Sequence, residues 1–195
     1  MRMERREFLR FAGVAFGAAL FDYPLAVAAA RQSAEPVVLD GSEWRLLDAV
    51  CARILPPVHG VSTTGAGCVN FIDKLLAHEE QALAPAYRAG LAALAAVATA
   101  SARQQFNEFD PVRQDELLAA LEEGKLTPWP AAAPAQPEFF AQLRWHTLLG
   151  FLADPAYGGN RGGAGWRAIG HPQHPHGSGG FSDEQLTGSV PIRLV

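Results

Sequence analysis

Residues 84–102, APAYRAGLAALAAVATASA, decide how this chain is to be read. Alanine has the highest helix propensity of any residue, and Tyr87, Leu91, Leu94 and Val97 share one side of a helix drawn through the segment. The reading is a central, largely buried helix whose small side chains let neighbours approach closely. The same periodicity recurs on either side of it. Upstream, Ser42 reads as an N-cap and Glu43 suits a positive first turn; Leu46, Leu47, Val50, Cys51 and Ile54 follow at helix spacing until Pro56-Pro57. VHGVSTTGAG, residues 58–67, reads as a loop, and a second helix is expected from about Val69 to Glu80, burying Phe71, Ile72, Leu75 and Leu76.

Downstream, Asp110 caps a fourth helix with Pro111 at its first position, Leu117, Leu118 and Leu121 facing inward, and Gly124 as its stop. A proline-rich connector over 127–137 leads to a fifth helix starting near Pro137. That helix carries Phe139, Phe140, Leu143, Leu148, Leu149 and Leu152 and ends at Asp154-Pro155. Only VPIRLV, 190–195, alternates as a strand would. The expected fold class is all-α: a bundle of about five helices over residues 31–153, followed by a long irregular tail rich in glycine and proline over 154–195.

The chain has 195 residues, 49% of them apolar and 18% charged, which suits one folded domain with a real core. Its net charge of −4 shows no basic stripe and argues against nucleic acid as a partner. Residues 1–30 read as an export signal: arginines first, then an apolar run from Phe11 to Phe21 too short to span a bilayer comfortably, then small residues with cleavage expected within Val27–Ala30. RREFLR, with Arg5, Arg6, Phe8 and Leu9, resembles the twin-arginine signal, which carries folded proteins, although Glu4 replaces the usual Ser or Thr. The expected location is therefore periplasmic. In an oxidising compartment the two cysteines, Cys51 and Cys68, are expected to form a disulfide; separate burial of both thiols is the alternative.

The segment DPAYGGNRGGAGWRAIGHP, 154–172, packs six glycines around Tyr157, Asn160 and Trp166. It follows a helix and opens none, which is the reverse of a phosphate cradle, so a tight loop anchored by Tyr157 and Trp166 is the better reading. HPQHPHG places His171, His174 and His176 close enough to hold zinc or copper, but no Cys, Asp or Glu lies close by to complete a tetrahedral set. A histidine-dependent metal-binding protein stands as the alternative function. No local context marks a serine or cysteine nucleophile, and the paired carboxylates Glu79-Glu80 and Glu122-Glu123 read as solvated faces. By itself the chain does not read as an enzyme.

LRWHTLLGFLADPAYGGNRGGAGWRAIGHP resembles the gluconate 2-dehydrogenase subunit 3 family in Asp154, Pro155, Tyr157, Gly158, Gly159, Asn160, Gly165, Trp166, Ile169 and Gly170. WRLLDAVCARILPP looks like the opening helix of that family, and the leader fits as well. HPQHPHGSGGFS departs from the usual tail, so no role is carried over to its histidines. The resemblance implies a small subunit that bears the export signal and binds no cofactor. A larger flavoprotein of the glucose-methanol-choline oxidoreductase type would hold FAD and oxidise a sugar or sugar acid. In many such complexes a cytochrome c subunit takes the electrons, which would place the assembly at the membrane. On this reading the contact with the flavoprotein is formed by His146, Tyr157, Gly158, Gly159, Asn160, Trp166 and Ile169, with His171 expected there as the residue that follows Gly170 in the tail and not as an inherited role.

Overall fold

The structure is a computed structural model that describes residue 33 and residues 35–171. Arg5, Arg6, Phe8 and Leu9 of the leader, His174, His176 and the segment 190–195 lie outside the described residues. In chain order the helices are α1 (Gly41–Ile54), α2 (Thr63–Ala66), α3 (Cys68–Ala77), α4 (Ala84–Ala102), α5 (Pro111–Glu122), α6 (Gln136–Leu152) and α7 (Ala164–Ala168). Five of them are long, and no strand occurs among the described residues, so the all-α class holds.

Local chemistry sets the helix ends. Asp40, two residues earlier than the expected Ser42, caps α1: its carboxylate accepts from the Ser42 and Glu43 amides at 2.8 and 2.9 Å, while Glu43 accepts from the Asp40 amide at 2.9 Å. The reciprocal pair satisfies two amides that Ser42 alone would leave open. Asp110 caps α5 through the Arg113 amide at 3.0 Å, with Pro111 at the first position as expected. The expected loop 58–67 contains the four-residue helix α2, because Ser62 caps the Gly65 amide at 3.0 Å. Gly67, at φ +78, both ends α2 and starts α3.

The hubs of the bundle are α1 and α6, not α4. α1 packs on every other long helix, and α6 packs most extensively on α3 and α5. α4 flanks them with Tyr87, Leu91, Leu94 and Val97 buried as expected and with Ala86, Ala92, Ala96 and Ala100 exposed. Alanine favours a helix whether or not it is covered, so an alanine-rich helix need not be central. By length and composition Gln81–Ala102 could cross a membrane, yet here its apolar side closes the core. Gly90 makes that closure tight: a Cβ there would stand 2.5 Å from the Phe139 ring of α6. Phe139 in turn meets Tyr87 edge-on, with ring centroids 5.6 Å apart.

An unexpected tie secures the segment before α1. Asp73 of α3, wholly buried, accepts from the amides of Val37, Val38 and Leu39 at 2.8, 2.9 and 2.9 Å. The neighbouring Lys74 ammonium lies 3.2 Å from the same carboxylate and donates to the Glu35 carbonyl. A buried charge is tolerated when paired and hydrogen-bonded, and here both conditions are met.

Candidate functional site

The glycine-rich segment closes the C-terminal end of α6. The last carbonyls of a helix have no partner within it and must find one elsewhere. Asn160 supplies two: its amide donates to the Gly150 carbonyl at 2.8 Å and its Nδ2 to the Ala153 carbonyl at 2.9 Å. The Trp166 indole N–H supplies a third, to the Leu152 carbonyl at 2.7 Å. Asn160 Oδ1 then accepts from the Gly165 amide at 2.8 Å, which fixes the start of α7. Asn160 sits in left-handed backbone (φ 41, ψ 45) and is entirely buried.

The glycines are demanded by approach as much as by conformation. A Cβ on Gly165 would overlap the Phe151 carbonyl oxygen, and one on Gly159 would overlap the Gly150 carbonyl oxygen and stand 2.9 Å from Phe71 Cβ. Asn70 of α3 donates to the Gly158 carbonyl at 2.8 Å, tying the turn to the core. Because the amides of Gly158, Asn160, Gly163 and Gly165 all donate inside the chain, they present no anion-binding nest to solvent. The expected structureless tail is thus, over residues 155–168, two short 3-10 turns and a short helix.

This geometry divides the expected contact residues. Gly158, Gly159 and Asn160 are buried in the chain's own interior and Tyr157 is half-buried against the core, so these are scaffold. His146 is also internal, at 2% exposure. Its ring stacks on Tyr87 at 5.7 Å, and its Nε2 lies 3.0 Å from Glu80 Oε2. Burial pushes the imidazole down to about 4, so it is neutral at ordinary pH. At the surface remain the half-buried Trp166, the exposed Ile169 and His171, whose ring lies 5.8 Å from that of Trp166.

The outer side of α6 extends that surface. Trp145, Leu148 and Leu152 recur at i, i+3 and i+7 and are 46%, 37% and 36% exposed; Ile169 is 54% exposed. Leu148 and Leu152, among the apolar residues read on this helix, therefore face out together with Trp145. The signal was present: α6 carries large apolar residues all round, which marks a helix with two faces to cover.

The cysteines do not pair. Cys51 and Cys68 are both buried free thiols, which corrects the expected disulfide. Burial pushes the Cys51 thiol up to about 12 and also raises that of Cys68, so neither is a nucleophile at neutral pH. Thr147 Oγ1 donates to the Leu143 carbonyl at 2.7 Å and lies 3.3 Å from the Cys51 sulfur, so this thiol is embedded in helix packing. Among the described residues no three His, Cys, Asp or Glu side chains are grouped to hold a metal ion.

A family model described as Gluconate 2-dehydrogenase subunit 3 matches residues 41–172, well over half of the chain. The match begins at the first residue of α1 and runs past α7. No curated protein and no solved structure matches the chain.

Proposed function

This chain belongs to the gluconate 2-dehydrogenase subunit 3 family, and on that premise we propose that it is the non-catalytic small subunit of a periplasmic, FAD-dependent sugar or sugar-acid dehydrogenase. It binds no cofactor. The FAD sits in a partner of the glucose-methanol-choline oxidoreductase type, which this chain stabilises and carries through twin-arginine export by means of its own leader.

The observation that carries this reading is the apolar stripe of Trp145, Leu148, Leu152 and Ile169, left open beside the family's glycine-rich segment. Large apolar side chains exposed together on one face mark an interaction site, and tryptophan is favoured at the energetic centre of such contacts. The expected division of labour follows: buried residues of the segment shape the surface, and the stripe meets the partner.

Co-expression with the partner tests it. The tagged chain is expected to purify with a flavoprotein and its flavin absorbance. A chain recovered alone, colourless and at full yield, would overturn the reading. Trp145→Asp combined with Ile169→Asp should release the flavoprotein while leaving the thermal unfolding of this chain unchanged, because both positions are exposed. For export, Arg5→Lys with Arg6→Lys is expected to leave both subunits in the cytoplasm; periplasmic flavoprotein in that variant would refute carriage by this leader.

A further inference from the structure

A cavity of about 420 Å³ opens between α1, α2 and the turn that follows Asn160. Trp44, Arg45 and Asp48 line it from α1, Thr64 and Gly67 from α2 and its cap, and Arg161 from the glycine-rich segment. Five basic side chains elsewhere pair with carboxylates, Arg53 with Asp115, Arg88 with Glu43, Arg113 with Glu116, Lys125 with Glu123 and Arg144 with Glu122, and Arg167 donates to the Gly162 carbonyl. Arg45 and Arg161 have no carboxylate partner among the described residues, and both border this cavity. Two unmatched guanidiniums in one hollow of a chain carrying a net charge of −4 form a local positive site on an acidic molecule.

The site is shaped as well as charged. Gly67, at φ +78, has no side chain, and a Cβ there would stand 2.7 Å from Arg161 Nε and 3.1 Å from its Cδ. The arginine stem therefore lies along the backbone of Gly67. The one carboxylate in the wall, Asp48, has both oxygens 2.9 Å from the Thr64 hydroxyl. Neither arginine is ion-paired with Asp48, and Trp44 lines the same wall and offers apolar surface to the stem of an incoming side chain. A planar guanidinium fork matches a carboxylate two bonds at a time.

We propose that this cavity is a socket for an acidic side chain of the partner polypeptide, engaged by Arg45 and Arg161. The inference rests on the subunit reading above and deepens it by naming the partner's chemistry. Arg161 directly follows Asn160, so the socket is built by the same turn that supports the surface of Trp166 and Ile169. The partner face is then apolar where it meets α6 and acidic where it meets α1.

The test measures dissociation of the complex between the full chain and its flavoprotein at low and high salt. Wild type should weaken as salt rises. Arg45→Gln with Arg161→Gln should weaken binding at least about tenfold at low salt and flatten the salt dependence. Trp145→Ala should weaken binding at both salts and keep the wild-type slope. A photo-cross-linking residue at position 64 should attach to a segment of the flavoprotein containing Asp or Glu.

An Arg45/Arg161 variant with wild-type affinity and slope overturns the socket while the subunit reading stands. So does cross-linking only to a second copy of this chain. If the wild-type chain retains no flavoprotein, the subunit reading itself fails and the socket falls with it.

Discussion

Asn160 is the residue on which the family segment turns. Its amide, carboxamide nitrogen and carboxamide oxygen each make a hydrogen bond inside the protein. Replacing it by alanine leaves the Ala153 carbonyl and the Gly165 amide buried without partners, a loss of about 2–4 kcal/mol, to be read as a lower midpoint in denaturant at unchanged slope. An Asn160→Ala variant of wild-type stability would contradict the buried clip. His146 gives a pH signature. Its folded value near 4 lies below the ordinary 6.5, so the unfolded chain takes up the proton that the folded chain refuses. Stability is complete above about pH 6.5 and declines as the pH falls toward 4, by up to about 3 kcal/mol. Burial also raises Glu80, whose slope opposes that of His146; the histidine dominates because its side chain is 2% exposed against 32% for the glutamate. His146→Gln should flatten the acid side of the stability profile measured by thermal melts between pH 7 and 4.

At the scale of elements, α6 shows why a sequence pattern can name a helix and misplace its faces. Phe139, Leu143 and Phe151 enter the core, while Trp145, Leu148 and Leu152 look outward, and nothing in the residue types separates the two sets. Only the positions of α3 and α5 decide which side is covered. The glycine-rich segment behaves likewise. Its glycines were legible as sites of close approach, but what approaches is the end of α6, not a ligand. Gly165→Ala should therefore detach α7 from α6 and raise amide exchange over residues 160–170, a change that propensity alone would predict to stabilise the helix. The tie at Asp73 makes a parallel prediction: Asp73→Asn should expose residues 35–39 to limited proteolysis, since three backbone amides lose their anionic acceptor. Equal resistance in the variant would show that the segment is held by other contacts.

At the scale of the whole molecule, among the described residues, both thiols lie in the interior and the exposed apolar residues of α6 lie at the surface. Both thiols should resist an aqueous disulfide reagent in the native protein and titrate as two free thiols once it is denatured. No thiol released on denaturation would restore the disulfide expected from the oxidising compartment. The apolar stripe on α6 and the cavity proposed as an arginine socket both border the glycine-rich segment, through Trp166 and Arg161 respectively. A contact built from both needs a partner that is long enough to reach across the segment, apolar in one part and acidic in the other. On the proposed reading, a firmly fixed segment would hold the two patches at a constant spacing.

Helix type and most helix limits were settled by local chemistry, because caps, proline at the first helical position and apolar spacing act within a few residues. α4 and α5 follow that logic closely. The family segment could be recognised from side chains alone, for the glycines and Asn160 are required by the fold they make. Which helices sit at the centre, which side of α6 stays bare, that Cys51 and Cys68 stay unpaired, and that Arg45 and Arg161 share a hollow were decided only in three dimensions. Each of these depends on residues far apart in the chain, such as Arg45 and Arg161, meeting when the bundle closes, and no periodicity within one element encodes that meeting.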